Sequence, residues 1–270
     1  MGETPKRAGG ISMKYMTIGL RREVSLVLLP IDDFTDRIIT GSQLHVYTRE
    51  DHISSFRKPD GYHVFCDLVG NEVEVCLEGP LYQKKILKLP IGLEEPNVYQ
   101  VRMLPGISYP LPQGTTVIRG AFPEGNVIRV FFPRLKRSCK LLYDYDPSIH
   151  REELSLFQPY EMSLKGKTLC ICGKEKDLEF FRVSDQKGNI CSLEHPLSKV
   201  YQKMSTSVYP VYEAAAGEDG NIYLPISRLT EDEACVCVLM GAGQEEKTCE
   251  IVITAGKVNW ITEDVWREEG

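Results

Sequence analysis

The stretch Arg57-Lys-Pro-Asp-Gly-Tyr-His-Val-Phe-Cys-Asp-Leu68, continued by Val69-Gly-Asn-Glu-Val-Glu-Val75, decides how this chain is read. Asp60-Gly61 is a tight-turn pair, because glycine reaches positive φ without a Cβ clash and aspartate hydrogen-bonds its own backbone. Beyond it Tyr62, Val64, Cys66 and Leu68 share one face of an extended strand, with Phe65 and Leu68 expected to close on a core. Gly70 then reverses the chain, and Val73, Val75 and Leu77 are expected to run back beside the first strand. Period-two alternation interrupted by Asp-Gly and Gly-Asn pairs is the signature of antiparallel β-structure.

The same pattern extends in both directions. Upstream lie Val24, Leu26 and Leu28, then Leu44 and Val46. Downstream, extended segments are expected at 98–104, 115–119, 127–132, 140–145, 154–157, 168–172, 178–183, 222–224, 234–240 and 249–254, with turn signals at Gly125-Asn126, Gly188-Asn189 and Gly220-Asn221. Helical signal is thin: about two turns over His195–Met204, with Leu197, Val200, Tyr201 and Met204 on one side, and a short tail helix over Thr262–Glu269 begun by a threonine cap. Many short strands at this spacing predict an all-β fold of two to three tandem antiparallel β-sandwich modules with few short helices. Proline and charge break the pattern at Pro90–Pro96 and Phe157–Pro159, which divides the chain into a loose tail 1–12 and modules at 13–92, 96–158 and 159–270.

Composition bounds the function classes. The chain has 270 residues, 42% of them hydrophobic, with 32 Lys and Arg against 38 Asp and Glu for a net charge of −6. Residues 158–270 hold 12 basic and 19 acidic residues, so the deficit lies in the last part. Nucleic-acid binders draw most of their affinity from basic faces, so this balance predicts no nucleic-acid partner. No apolar run approaches the roughly 20 residues of a membrane-spanning helix. Nine cysteines are an odd number, and the first residues lack the apolar core of a secretory signal; free thiols in a cytoplasmic setting are expected. Met13 offers an alternative start.

The Asp60-Gly61 turn, the aromatic Phe65, the Leu68-x-Gly70 step and the alternating strand after it resemble the carboxypeptidase regulatory-like, or transthyretin-like, β-sandwich domain over residues 24–90. Ile31-Asp-Asp-Phe-Thr-Asp-Arg-Ile38 stands where such domains carry a loop between their first two strands, while Gly70-Asn-Glu-Val replaces the Gly-x-Tyr that often follows the second turn. The resemblance implies a non-catalytic spacer or interaction module. The Asp32-Asp-Phe-Thr35 and Lys58-Pro-Asp-Gly-Tyr-x-Val-Phe65 runs also resemble accessory proteins of phage-tail-like contractile injection systems.

Few residue patterns in the chain come near a chemical motif. Cys170-x-Cys172 and Cys235-x-Cys237 would offer four thiolates to a zinc ion, but structural zinc favours two to four residues between cysteines on a turn, and the apolar flanks predict cysteine as a small core hydrophobe. Lys165-Gly166-Lys167-Thr168 contains a Gly-Lys-Thr, yet Glu161 stands where a phosphate loop needs glycine and a strand follows in place of a helix. Gly106-Ile-Ser108-Tyr-Pro110 lacks the last glycine of a nucleophile elbow. No enzyme, metal or cofactor is therefore expected.

The expected chemistry is that of contact surfaces. Phe131 and Phe132 precede the only dense basic cluster, Arg134, Lys136, Arg137 and Lys140, and together with Tyr109 they form the candidate interaction patch. Acidic loops at Glu231–Glu233 and Glu245–Glu246 would attract that patch in a second copy, so self-association is expected beside other protein partners. The expected role is a structural or adaptor component of a bacterial multiprotein assembly such as a contractile particle. The alternative is a glycan-binding or adhesive protein, with Tyr99, Tyr109, Tyr209 and Tyr212 as an aromatic platform.

Overall fold

In the computed structural model, which describes residues 22–91, 98–133, 138–158, 163–174, 177–227, 229–241 and 246–266, the apolar faces of the alternating segments gather in three separate cores. The structure is nearly all β, as expected. The first core lies between two sheets built from β1 (Val24–Asp32), β2 (Arg37–Ile38), β3 (His45–Thr48), β4 (Phe56–Arg57), β5 (His63–Cys66), β6 (Glu72–Gly79), β7 (Tyr82–Pro90) and β8 (Val98–Met103). One sheet runs β2-β1-β5-β4 with β8 parallel to β1, and the other runs β3-β6-β7. Leu26, Leu28, Phe65 and Met103 of the first sheet meet Val46, Val75 and Leu77 of the second. This is the first sandwich.

Two further bodies share the rest of the chain. β9 (Thr116–Ala121) and β10 (Val127–Phe131) combine with β17 (Tyr212–Ala215), β18 (Asn221–Ile226), β19 (Glu233–Met240), β20 (Lys247–Ile253) and β21 (Val258–Ile261) into sheets β18-β9-β21 and β17-β10-β19-β20. Between these sheets lie Ile118, Ile128, Val130, Cys237 and Leu239, the core of a sandwich split in sequence. Inserted into it are β11 (Lys140–Leu141), β12 (Glu153–Phe157), β13 (Thr168–Cys172), β14 (Leu178–Lys187), β15 (Ile190–Leu193) and β16 (Ser207–Pro210), in the order β11-β12-β15-β14-β13-β16. Cys139 and Val208 exchange backbone hydrogen bonds of 2.7 and 3.0 Å, so the two ends of this sheet meet and it closes into a small barrel. Closure removes both edges of the sheet.

Strand pairing thus divides the chain differently from the expected cuts at 92/96 and 158/159. β8, from beyond the first cut, completes the first sandwich, because its parallel ladder along β1 buries Val101 and Met103. β12 ends beside the second cut yet pairs with strands on both sides of it. β10 buries Ile128 and Val130 only by joining β17 and β19, more than 80 residues away, so the barrel is an insertion rather than a following module. Tail 1–12 lies outside the described residues.

The local structure departs from expectation in three places. Gly61 has φ +92° and closes its turn through an N–H donated to the Lys58 carbonyl at 3.1 Å, as the sequence predicts. Gly70, at φ +110°, does not close a hairpin: β5 pairs with β1 and β4, whereas β6 pairs with β3 and β7 in the facing sheet. Asp67 N–H donates to the Glu23 carbonyl and Leu68 N–H to Ser25 Oγ, which anchors the chain to β1 before it crosses between sheets. The helix expected over His195–Met204 is reduced to a single 3-10 turn at Lys203–Ser205. Tyr145 and Tyr201 exchange backbone hydrogen bonds of 2.8 and 2.9 Å, which hold that stretch extended, and Pro196 supplies no N–H. The tail helix is likewise a 3-10 turn, Glu263–Trp266, and residues 267–269 lie outside the described ones.

His63 makes the first sandwich sensitive to acid. It is buried on β5 with Nδ1 2.8 Å from Ser55 Oγ, and burial, helped by the charge of Arg57, pushes its pKa down to about 4. A depressed histidine favours the neutral fold, so its contribution is complete above the ordinary value of 6.5 and is lost as pH falls from 6.5 toward 4. The expected loss is up to about 3 kcal/mol. Urea unfolding across this range is expected to show that decline in the wild type and a flatter profile in His63→Gln.

Candidate functional site

The functional geometry begins with the loop that follows β1. Buried Asp32 organises it: Oδ1 accepts the N–H groups of Phe34 and Thr35 at 2.9 and 3.1 Å, and Oδ2 accepts the hydroxyls of Tyr82 and Tyr109 at 3.1 and 2.5 Å. Burial and the neighbouring Asp32 push the Tyr109 hydroxyl up to about 12, so it remains a donor. The loop then presents two carboxylates, Asp33 and Asp36, to one guanidinium. Arg102 lies on β8 between Val101 and Met103, which enter the first core, so its own side chain leaves that core toward the barrel. Nη1 of Arg102 lies 3.1 Å from Asp33 Oδ1 and 2.7 Å from Asp36 Oδ1, and Nε donates to the Lys165 carbonyl at 3.2 Å.

The barrel answers with its own cation. Lys167 Nζ lies 3.1 Å from Asp36, in the turn before β13 where Gly166 takes φ +72°. Burial works upward on the Asp36 carboxyl, but Lys167 and Arg102 outweigh it and hold its pKa below the ordinary 3.8. Burial, reinforced by Arg102, lowers the pKa of Lys167. The Gly-Lys-Thr run that fails as a phosphate loop is therefore part of a charged joint.

Beside this joint is a cavity of about 270 Å³ walled by all three bodies, with Lys85 and Arg102 from the first sandwich, Lys167 and Arg182 from the barrel, and Tyr212 and Glu213 from the split sandwich. Lys85 sits on β7 in phase with Leu87 and Leu89, which pack on the first core. Its Nζ donates to the Arg102 carbonyl at 3.0 Å, and burial, with Arg182 adding repulsion, pushes its pKa down to about 8. Glu213 pairs with Arg129 at 2.6 Å, and that guanidinium lies 4.7 Å from the ring centre of Phe180. Phe131 stacks on Tyr209 with centroids 5.5 Å apart at 22°. Gln83 Nε2 ties the first sandwich to the split one through the carbonyls of Pro105 and Tyr223, at 2.9 and 2.6 Å.

Of the expected interaction patch, the described aromatic members are turned to other uses. Phe131 and Phe132 are 2% and 4% exposed: Phe131 fills the joint between β10 and the barrel, and Phe132 turns into the split-sandwich core. Arg134, Lys136 and Arg137 lie outside the described residues. Lys140 is exposed on β11, and Tyr109 is committed to Asp32. The expected platform is dispersed as well, since Tyr99 packs on the first core, Tyr209 on Phe131 and Tyr212 edge-on to Phe132. A different row stands in register across β18, β9 and β21: Tyr223, Arg119 and Trp260, with the Arg119 guanidinium 5.3 and 6.0 Å from the two ring centres. Trp260 is 64% exposed.

The cysteine pairs occupy different bodies, Cys170 and Cys172 on β13 of the barrel and Cys235 and Cys237 on β19. Cys235 and Cys237 sulfurs are 3.7 Å apart in the split-sandwich core. Among the described residues no group of three or more His, Cys, Asp or Glu is placed to hold a metal ion. Nor is any helix there long and apolar enough to cross a membrane. Burial pushes the thiols of Cys139, Cys170 and Cys191 up to about 11, 12 and 12, far from a reactive thiolate.

No family model matches the chain, and no curated protein matches it. Among solved structures it is similar to a Bacteroides uniformis protein for which carbohydrate binding is proposed, at 12% identity and TM-score 0.25, covering 85% of this chain and 98% of that one. The Bacillus anthracis TIE protein gives 9% identity and TM-score 0.26 over 89% of this chain and 50% of the other. The shaft pilin SpaA of Lactobacillus rhamnosus GG gives 10% identity and TM-score 0.21 over 89% and 97%. Superpositions this loose carry no argument about function.

Two outcomes follow from this geometry. Arg102→Met leaves Asp33 and Asp36 facing a joint without their guanidinium. Because both carboxylates are about a third exposed, the expected cost is about 2 kcal/mol, below that of a fully buried pair. Urea unfolding measures it, and limited proteolysis is expected to cut more readily near residue 165. Under native alkylation Cys66 and Cys172, the partly exposed thiols, are expected to label first, and Cys139, Cys170, Cys191, Cys235 and Cys237 only on unfolding, as read by mass spectrometry.

Proposed function

We propose that this chain is a non-catalytic binding protein, a structural or adaptor component of a bacterial multiprotein assembly that works through protein contacts. The observation that carries the reading is the charged joint, where Arg102 is held at once by Asp33, Asp36 and the Lys165 carbonyl. Side-chain bonds crossing between bodies make a rigid three-part frame, and a rigid frame presents partner surfaces at fixed spacing, which lowers the entropy cost of binding. The packed, high-pKa cysteines support a structural rather than nucleophilic use of these residues. The finer form of the proposal is a component of a phage-tail-like contractile particle, made in the cytoplasm and incorporated in a particle that is released. Its support is the resemblance of the 32–35 and 58–65 runs, the first of which forms the Asp32 loop at the joint.

A pull-down of the tagged protein from its own cells under gentle lysis, with mass spectrometry and negative-stain imaging, tests this. Co-purifying sheath, tube or baseplate-like proteins with visible particles are the expected outcome; a monomer without partners overturns the assembly reading.

One observation favours a second reading, glycan binding. The Tyr223, Arg119 and Trp260 row offers an exposed indole beside a cation, the pairing that stacks on and hydrogen-bonds to a sugar ring. A glycan array probed with wild type and Trp260→Ala decides: hits lost in the variant support it, and an array without hits removes it.

A further inference from the structure

The cavity among the three bodies has an unbalanced wall. Asp33 and Asp36 are matched by Arg102 and Lys167, Glu213 by Arg129, and Arg182 Nε lies 3.2 Å from Glu194. Lys85 makes no ion pair among the described residues, and its ammonium donates to a neutral backbone carbonyl, that of Arg102. A lysine at a core-facing position costs desolvation that a carbonyl only partly offsets; Arg182 and Arg102 add like charge, which the carboxylates of Asp33 and Glu213 counter without pairing with it. The wall therefore carries one cation more than its carboxylates neutralise, and it faces about 270 Å³ of space, near the lower end of the size range of small-molecule sites.

We propose that this cavity binds a small oxyanion, a ligand bearing a carboxylate or phosphate group, with Lys85 as its principal ionic partner and Lys167 and Arg182 beside it. The position suits such a ligand, because pockets form preferentially where separate bodies meet and a shared anion bridges cations from each. A bound anion also gives Lys85 the direct ion-pair partner it does not find among the described residues, so binding and stability of the joint are linked. This goes beyond the adaptor reading and does not depend on it: the site is internal and needs no protein partner.

The test uses the full chain with two probes, inorganic phosphate and succinate, titrated at constant ionic strength with chloride as the balancing ion. Isothermal calorimetry and thermal unfolding are expected to show saturable binding and a raised Tm for at least one probe. Phosphate alone points to a phosphate ligand and succinate alone to a carboxylate. Lys85→Met is expected to weaken binding by roughly tenfold to a hundredfold, the worth of one charge-assisted hydrogen bond. Lys88→Met, on the exposed face of the same strand, is expected to leave it unchanged. If Lys85→Met fails to fold, acylation of the wild type decides: the bound probe is expected to protect Lys85 and not Lys88 from acetic anhydride, read by peptide mass spectrometry. Absence of saturable binding by either probe, binding unaltered in a folded Lys85→Met, or Lys85 acylation unaffected by the probes overturns the proposal.

Discussion

The guanidinium of Arg102 is the point on which the arrangement of the three bodies turns. Nearly buried, it draws two aspartates of one loop and a carbonyl of the barrel to itself. A guanidinium suits this use because it is planar, stays charged and donates in several directions, which a lysine ammonium does not do in a fixed geometry. The loop facing it is not free to drift, since Asp32 has accepted two backbone N–H groups and two tyrosine hydroxyls before Asp33 and Asp36 are presented. Preorganisation of the acceptors is what lets a partly exposed ion pair contribute to structure, because little side-chain entropy remains to be lost.

Around that point the bodies use different physics for each contact. The barrel meets the first sandwich through charge, by Lys167 with Asp36 and by the Arg102 guanidinium on the Lys165 carbonyl. It meets the split sandwich through aromatic stacking of Phe131 on Tyr209 and the Arg129 cation over Phe180. The two sandwiches meet through the Gln83 amide. Three unlike surfaces that must be satisfied together specify one arrangement more narrowly than three apolar patches would, since apolar contacts are non-directional. The cavity is the space these contacts enclose, and its charge is a by-product of the same side chains. Function by presentation and function by anion capture are thus compatible uses of one joint.

Much of the local structure was legible. Alternation placed β1, β5, β6, β13 and β19, and Asp60-Gly61 marked a real turn, because pleat periodicity and positive φ are properties of a few neighbouring residues. Cysteine flanked by branched apolar residues read correctly as a core packer for the same reason. The aromatic residues of the expected patch were not legible as buried, because Phe131 at the end of β10 and Phe132 just after it turn to different bodies whose positions the sequence does not announce. The best missed signal was Lys85, in phase with Leu87 and Leu89, a charged residue on a face that alternation assigns to the core. Asp33 and Asp36 stood in a run already singled out for its resemblance, but nothing local indicated that their partner was Arg102, more than 60 residues away.

By itself the sequence determined the all-β class, most strand positions and the burial of Cys170, Cys235 and Cys237, because these follow from residue type and spacing within about ten positions. Only the tertiary structure decided that β8 returns to β1, that the barrel is inserted and closed, and that Lys85, Arg102 and Lys167 surround one cavity. Those facts depend on which apolar faces find each other across the chain, and a hydrophobic face carries no address. The direction comes from the few charged and aromatic groups at the joints, whose meaning appears only once their partners are beside them.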